Sequence, residues 1–247
     1  MKKVLWFLYQ PYKWLIFLPF FIANTLFFGL LAIPLSLIAG HRIGSRVCGN
    51  WWSKINTAFT PAMVEVRGRE HIEPGQSYVV AANHLSAFDI FAVYGWLGLD
   101  LKWVMKKELR KIPGIGFGSE AVGHIFIDRS NTKNAVESIK KAKEKIKGGI
   151  SVIFFPEGTR SRVGSMLPFK KGAFKFALDM QIPILPVTIQ GTEAVLPSDT
   201  LDLFPGKIRL IIHPPIAISG FSDDNIQTLM DRTRRAIDSG FSINEDA

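Results

Sequence analysis

The sequence predicts an α/β fold: a mostly parallel central sheet flanked by helices, with an N-terminal hydrophobic two-helix membrane anchor. Three observations carry this. From residue 61 onward, short apolar runs of strand length alternate with helical patterns, the order that builds a parallel sheet covered on both faces. No Lys, Arg, Asp or Glu lies between Lys13 and Arg42. Two strand-like runs end in polar stretches rich in reactive side chains, at the edge where α/β sheets bind ligands. The chain therefore divides into a helical anchor over residues 1–60 and an α/β domain over residues 61–247.

Composition bounds the partners. The 247 residues are 47% hydrophobic with 19 Phe, and the formal net charge is +9. A basic, apolar chain suits an anionic membrane surface, nucleic acid, or a solvated lysine-rich face. Composition does not separate these. The lone Cys48 excludes an internal disulfide and a cysteine-based zinc site. His41, His71, His84, His124 and His213 lack metal-ligand spacing, so no metal is expected.

Within the charge-free stretch, Trp14–Ala23 and Leu26–Leu35 are almost wholly apolar. That is long enough to cross a bilayer, which needs about 20 such residues. It is too long for a signal peptide and shows no small-residue cleavage site. Basic residues flank both sides: Lys2, Lys3 and Lys13 before, Arg42, Arg46 and Lys54 after. A spanning helix is usually biased to one side. With Pro19 and Asn24 interrupting the run, the expectation is a hairpin that dips into one leaflet and returns both basic ends to the same face. A single span and a buried helix pair are the alternatives.

The remaining elements follow in order. A short helix is expected over Trp51–Thr60 and a strand over Val64–Arg67. Tyr78–Ala82 has the length and β-branching of a buried strand, and Ile90–Leu99 the length of a short helix. Between them lies Asn83-His84-Leu85-Ser86-Ala87-Phe88-Asp89. A histidine that takes a proton near neutral pH needs its other ring nitrogen held by a carboxylate. If His84 is still in the turn and Asp89 is in the first helical turn, the two can meet. Ser86-x-x-Asp89 is equally a capping-box pattern, so Asp89 can also serve as a helix cap.

Leu101–Met105 reads as a strand, Lys106–Lys111 as a helical turn, and Pro113–Gly118 as a loop. That loop is not a dinucleotide fingerprint, because Ser119 stands where the third glycine belongs. Gly123–Arg129 reads as a strand with a charged end, and Asn134–Lys147 as an amphipathic helix stopped by Gly148-Gly149. The buried-type strand Ile150–Phe155 runs into Pro156-Glu157-Gly158-Thr159-Arg160-Ser161-Arg162. Arginine forks with a glycine that lets backbone amides approach are the chemistry of an anion site, though an ordinary polar turn has the same composition. Lys170 and Lys171 precede a helix running to Met180, where their charge opposes the helix dipole and suits a ligand anion. Strands over Pro183–Ile189 and Ile208–His213 and a helix over Asp223–Asp238 complete the pattern. His213, at a strand end, is expected to be structural.

Asn83-His84-x4-Asp89, Gly123–Arg129, Phe155–Ser161 and Ile182–Val187, in this order, resemble the four sequence blocks of the glycerolipid acyltransferase family, within it the bacterial branch that acylates lysophosphatidic acid. The resemblance runs from about Val64 to Val187, and many members also have a hydrophobic N-terminus. It implies that His84 is the general base on the sn-2 hydroxyl of lysophosphatidic acid and that Asp89 orients it. Glu157 and Gly158 would hold the glycerol or shape the site. Arg129, Arg160, Lys106, Arg162 and Lys170, beside Thr159, would take the phosphate. The acyl donor would be acyl-CoA or acyl carrier protein, with no cofactor, no metal and no nucleic-acid partner. The product would be phosphatidic acid, made at the cytoplasmic face of the cytoplasmic membrane by a monotopic enzyme in contact with membrane lipid. Another acceptor, such as glycerol 3-phosphate or a lysophospholipid, or a non-catalytic module binding anionic lipid, are the competing readings.

Overall fold

The apolar N-terminus forms one long helix that runs straight through Pro19 and Asn24. In the computed structural model, which describes residues 2–128, 146, 148–162 and 165–242, α1 (Lys2–Tyr12) passes through a π turn (Lys13–Phe17) into α2 (Leu18–Ala39). A proline lacks the N–H for a helical bond and crowds the carbonyl four residues back. The π turn shifts the ladder just ahead of Pro19, so that Leu18 N–H donates to Lys13 O, five residues back. Asn24 and Thr25 are buried, and Thr25 Oγ1 donates to Phe21 O at 2.7 Å. The helix stops at Gly40, whose φ of +86° suits glycine. There the chain reverses. α3 (His41–Gly44), a second π turn (Ser45–Gly49) and α4 (Asn50–Phe59) pack back against α2. The hairpin thus turns at Gly40, not near Pro19 and Asn24 as expected.

The sheet follows. Its elements are β1 (Ala62–Arg67), β2 (Val79–Ala82), α5 (Asp89–Trp96), β3 (Asp100–Lys106), α6 (Ile115–Ala121), β4 (Ile125–Ile127), β5 (Ile150–Phe154), α7 (Gly172–Met180), β6 (Ile184–Gln190), α8 (Thr192–Val195), β7 (Gly206–Ile212) and α9 (Ile226–Phe241). Among the described residues the strands form a single sheet in the order β1-β7-β6-β2-β5-β3-β4. Every neighbouring pair is parallel except β6 with β7. β2, β3, β4, β5 and β6 therefore point the same way, and their C-terminal ends share one edge. The helix expected over residues 134–147 lies outside the described residues, Ile146 excepted.

Tyr78 to Ala82 are fully buried, as a central strand covered on both faces must be. Val80 and Ala82 join a core with Phe88, Leu97 and Leu185, beneath α5 and the N-terminal helices. Val79 and Ala81 face Phe174, Phe176 and Leu229 of α7 and α9. Burying each such large apolar side chain contributes about 1.5–3 kcal/mol. The stretch expected as a loop, Pro113–Gly118, instead opens α6. Gly116 and Gly118 are there for close packing, not for flexibility. A Cβ on Gly118 would lie 2.7 Å from Gly29 Cα, and one on Gly29 would overlap the Gly114 carbonyl. α6 and α2 thus meet backbone to backbone.

A partly buried polar chain ties the returning helix to the sheet. Trp103 N–H donates to His124 Nδ1 (3.4 Å), which leaves the Nε2–H tautomer to donate to Tyr94 Oη (3.2 Å). Tyr94 then donates to Ser45 Oγ (2.9 Å), and Ser45 to Leu101 O (3.4 Å). Burial, with the Lys102 ammonium nearby, pushes His124 down to about 3. An unfolded chain takes up a proton here near its ordinary value of about 6.5, whereas the folded one does not. The stability this site contributes is complete above that value and is lost as pH falls toward 3. Thermal unfolding of the wild type between pH 7 and 4 should lose stability by up to about 1.4 kcal/mol per pH unit from this group. His124→Gln, which cannot titrate, should flatten the slope.

Candidate active site

The edge where the five strands end is built from β2 outward. Asn83, fully buried, spends its amide on the neighbouring strand: Nδ2 donates to Ile189 O (2.8 Å) and Ile189 N–H donates to Oδ1 (2.7 Å). This extends the β2–β6 ladder by one side chain and holds the following turn at a fixed height. His84 comes next. Its Nδ1 lies 2.7 Å from Asp89 Oδ2, and its ring stacks on Phe155 with centroids 3.9 Å apart. Nε2 is then the nitrogen left for a substrate.

Asp89 meets His84 and also braces the turn, without forming the full capping box that its spacing from Ser86 suggests. Its Oδ2 also accepts from Leu85 N–H (2.9 Å) and Ser86 N–H (3.0 Å), while Ser86 Oγ accepts from Phe88 N–H (3.0 Å). The carboxylate half of a capping box is thus present, but the serine bonds Phe88 N–H and not that of Asp89, so the bonds brace the turn just ahead of α5; the same carboxylate holds His84. A buried carboxylate needs such a shell of donors. Its other oxygen, Oδ1, accepts from Thr192 Oγ1.

The loop after β5 closes over the turn. Glu157 is 2% exposed. Its Oε1 accepts from His84 N–H (2.7 Å) and its Oε2 from Leu167 N–H (2.7 Å). Ser161 N–H donates back to His84 O (2.8 Å). Burial raises the Glu157 carboxyl above its ordinary value, and the two backbone bonds oppose the rise. Gly158 adopts φ +76°, and a Cβ there would meet Lys170 Nζ at 2.8 Å. The glycine lets an ammonium approach the backbone of the turn.

Ahead of these groups opens a cavity of about 800 Å³. His84, Lys106, Gly158, Thr159, Arg160 and Lys170 line it, and so do apolar groups of the hairpin, α5 and the sheet, among them Phe28, Ala32, Trp52, Ile90, Trp103 and Ile153. Lys106 and Lys170 have no carboxylate partner among the described residues, and Arg160 stands 4.0 Å from Asp199. By contrast, Lys107 is paired with Asp128 and Arg110 with Glu120. Asp89 and Glu157 stand behind the lining. Arg162 is not brought to the cavity: its side chain is 77% exposed and Nε binds Asp199 Oδ2 at 2.7 Å. Arg129 lies outside the described residues.

The sequence from residue 63 to 190 matches the family model described as Acyltransferase. The chain belongs to the acyltransferase family. Among its relatives, human 1-acyl-sn-glycerol-3-phosphate acyltransferase alpha is 31% identical over 234 residues, 94% of this chain and 83% of that one. A chloroplastic 1-acyl-sn-glycerol-3-phosphate acyltransferase of Brassica napus is 36% identical over 62% of this chain and 44% of its own length. The crystal structure of the 1-acyl-sn-glycerophosphate acyltransferase PlsC from Thermotoga maritima is similar over 100% of both chains, with a TM-score of 0.81 and 28% identity. In this acyltransferase the matched residues run from β1 to the end of β6. They include the His84 turn, the Glu157–Arg160 loop and the sheet wall of the cavity. The hairpin wall lies before them.

Sequence reasoning missed the amide clamp of Asn83 and the whole contribution of the loop after β6. That loop supplies Thr192 to Asp89, accepts from Ser86 Oγ at Leu196 O (2.6 Å), and donates from Ser198 Oγ to Leu85 O (2.8 Å). The usable signal was Gln190-Gly191-Thr192 at the end of an apolar strand, the same strand-end rule that located the other two loops. Asn83→Ala would leave a buried N–H and C=O of Ile189 unpaired. Unfolding of that variant should show a loss of about 2–4 kcal/mol, with acyltransferase turnover falling alongside.

Proposed function

We propose that this enzyme transfers a fatty acyl group from an acyl thioester, acyl-CoA or acyl carrier protein, to the sn-2 hydroxyl of lysophosphatidic acid, forming phosphatidic acid. The observation that carries the reading is the His84–Asp89 pair placed where an apolar cavity meets the cations Lys106, Arg160 and Lys170. The activity for which its relatives are named supports it.

His84 Nε2 takes the hydroxyl proton as the oxygen attacks the thioester carbonyl. A C–O bond forms, the C–S bond breaks, and the thiolate leaves with the proton returned by the imidazolium. Asp89 holds Nδ1–H and balances the charge that His84 gains. The thioester carries the activation, so no cofactor or acyl-enzyme is called for. Arg160, Lys170 and Lys106 take the phosphate as charge-assisted donors, with Arg129 joining them from its place in the sequence. Thr159 and Gly158 face the glycerol, and Glu157 shapes the turn by its two backbone bonds. Arg162, paired with Asp199 outside the cavity, takes no part in holding the phosphate. The apolar lining takes the acyl chain.

The hairpin serves as a monotopic anchor on the cytoplasmic face. Both ends of its apolar stretch are tied to the α/β domain. Lys13 Nζ binds Asp202 at 2.8 Å; His41 Nδ1 contacts Ala121 O at 2.5 Å; Arg42 Nη1 donates to Gly148 O at 3.0 Å. A helix held at both ends by one domain dips into a leaflet more readily than it crosses the bilayer. Leu15, Phe27, Leu30, Leu37 and Ile38 are exposed and suit lipid tails.

Thiol release from palmitoyl-CoA by the purified enzyme in lipid tests the reaction. Release should require lysophosphatidic acid and fall at least about 10²-fold in His84→Ala. Release only with glycerol 3-phosphate or a lysophospholipid would move the acceptor, and no release with palmitoyl-CoA or an acyl carrier protein donor would end the enzymatic reading. The anchor has its own test. In a Cys48→Ala background, Gln10→Cys and Arg42→Cys should label from the same side of sealed vesicles; labelling from opposite sides would establish a span.

A further inference from the structure

Asp89 has two oxygens, and the His84 turn satisfies only one. Oδ2 takes His84 Nδ1–H, Leu85 N–H and Ser86 N–H. Among the described residues the partner of Oδ1 comes from 103 residues away: the hydroxyl of Thr192, at the first position of α8. A carboxylate only accepts, so the hydroxyl donates. Asp89 and Thr192 are both fully buried.

The placement is built, not incidental. β6 runs parallel to β2, and the Asn83 clamp on Ile189 aligns their ends. Gly191 then turns the chain at φ +83°, where a Cβ would overlap the Lys207 carbonyl. The turn delivers Thr192 to the oxygen that His84 does not use. Without the hydroxyl, Oδ1 would be buried and unpaired. The carboxylate plane would then be held through Oδ2 alone and could tilt about Cβ–Cγ, taking Oδ2 out of line with His84 Nδ1.

We infer that Thr192 is a positioning residue for the reaction proposed above: its hydroxyl locks the Asp89 carboxylate so that Oδ2 stays on His84 Nδ1. The inference rests on that reading of His84 and Asp89. It acts on turnover, because it governs how well Asp89 supports the imidazolium, and not on substrate affinity.

The test is steady-state acyl transfer to lysophosphatidic acid by Thr192→Val, Thr192→Ser, Asp89→Ala and the Asp89→Ala/Thr192→Val double variant, each checked for folding by thermal unfolding. Thr192→Val keeps the shape and removes the hydroxyl. It should lower kcat about tenfold or more while KM for both substrates stays within about twofold. Thr192→Ser should restore kcat. In the Asp89→Ala background the valine should cost nothing further, since its effect passes through Asp89. A purely structural Thr192 would lower kcat by the same factor in both backgrounds, and that result, or full kcat in Thr192→Val, overturns the inference alone. Full kcat in Asp89→Ala would instead bring down the role of Asp89 and this inference with it. If Thr192→Val does not fold, Thr192→Ala is judged by the same criteria.

Discussion

A buried negative charge organises this enzyme. The Asp89 carboxylate is shut off from solvent, and isolating an ion in that way is costly unless donors surround it. Two backbone amides, an imidazole and a hydroxyl meet that demand. Each donor constrains a different piece of chain. The amides fold the turn after β2 back on itself and start α5. The hydroxyl requires the end of β6 to lie beside the end of β2, which the parallel register supplies. The imidazole is thereby fixed before any substrate arrives, and Phe155 holds its face.

Glu157 repeats the device on the other side of His84. It too is buried, and it too is satisfied by main-chain donors, one from the His84 turn and one from Leu167. The two carboxylates differ in what they touch. Asp89 reaches the imidazole ring, whereas Glu157 reaches only backbone. Two acids near a histidine thus divide into one that holds its ring and one that holds the loops around it.

How much of this was legible depends on sequence distance. The strand–turn–helix around His84 could be read because an apolar run, a polar turn and a capping pattern adjoin one another. The Glu157–Arg162 loop could be read for the same reason. Gly40 was hidden behind Pro19, because the penalty of a proline is local knowledge, while the π turn that relieves it depends on the geometry of the helix ladder. Gly118 looks like a loop residue, since the reason for its size is Gly29, far back in the chain; Gly116 is small because the Arg110 carbonyl lies against it. Thr192 carries no mark of its partner, which lies 103 residues earlier. Asn83 adjoins His84 in the motif, yet its amide is committed to Ile189.

The cavity has two unlike walls. One is the sheet with its catalytic edge; the other is the hairpin, through Phe28, Ala32 and Trp52, with α6 pressed against α2 by the Gly118–Gly29 contact. The hairpin proposed as the anchor is therefore also one wall of the cavity. Trimming the apolar helices to obtain a freely soluble protein would remove that wall and open the cavity to water. On the reading proposed above, anchoring and the shape of the cavity depend on the same helices, and a change to one alters the other.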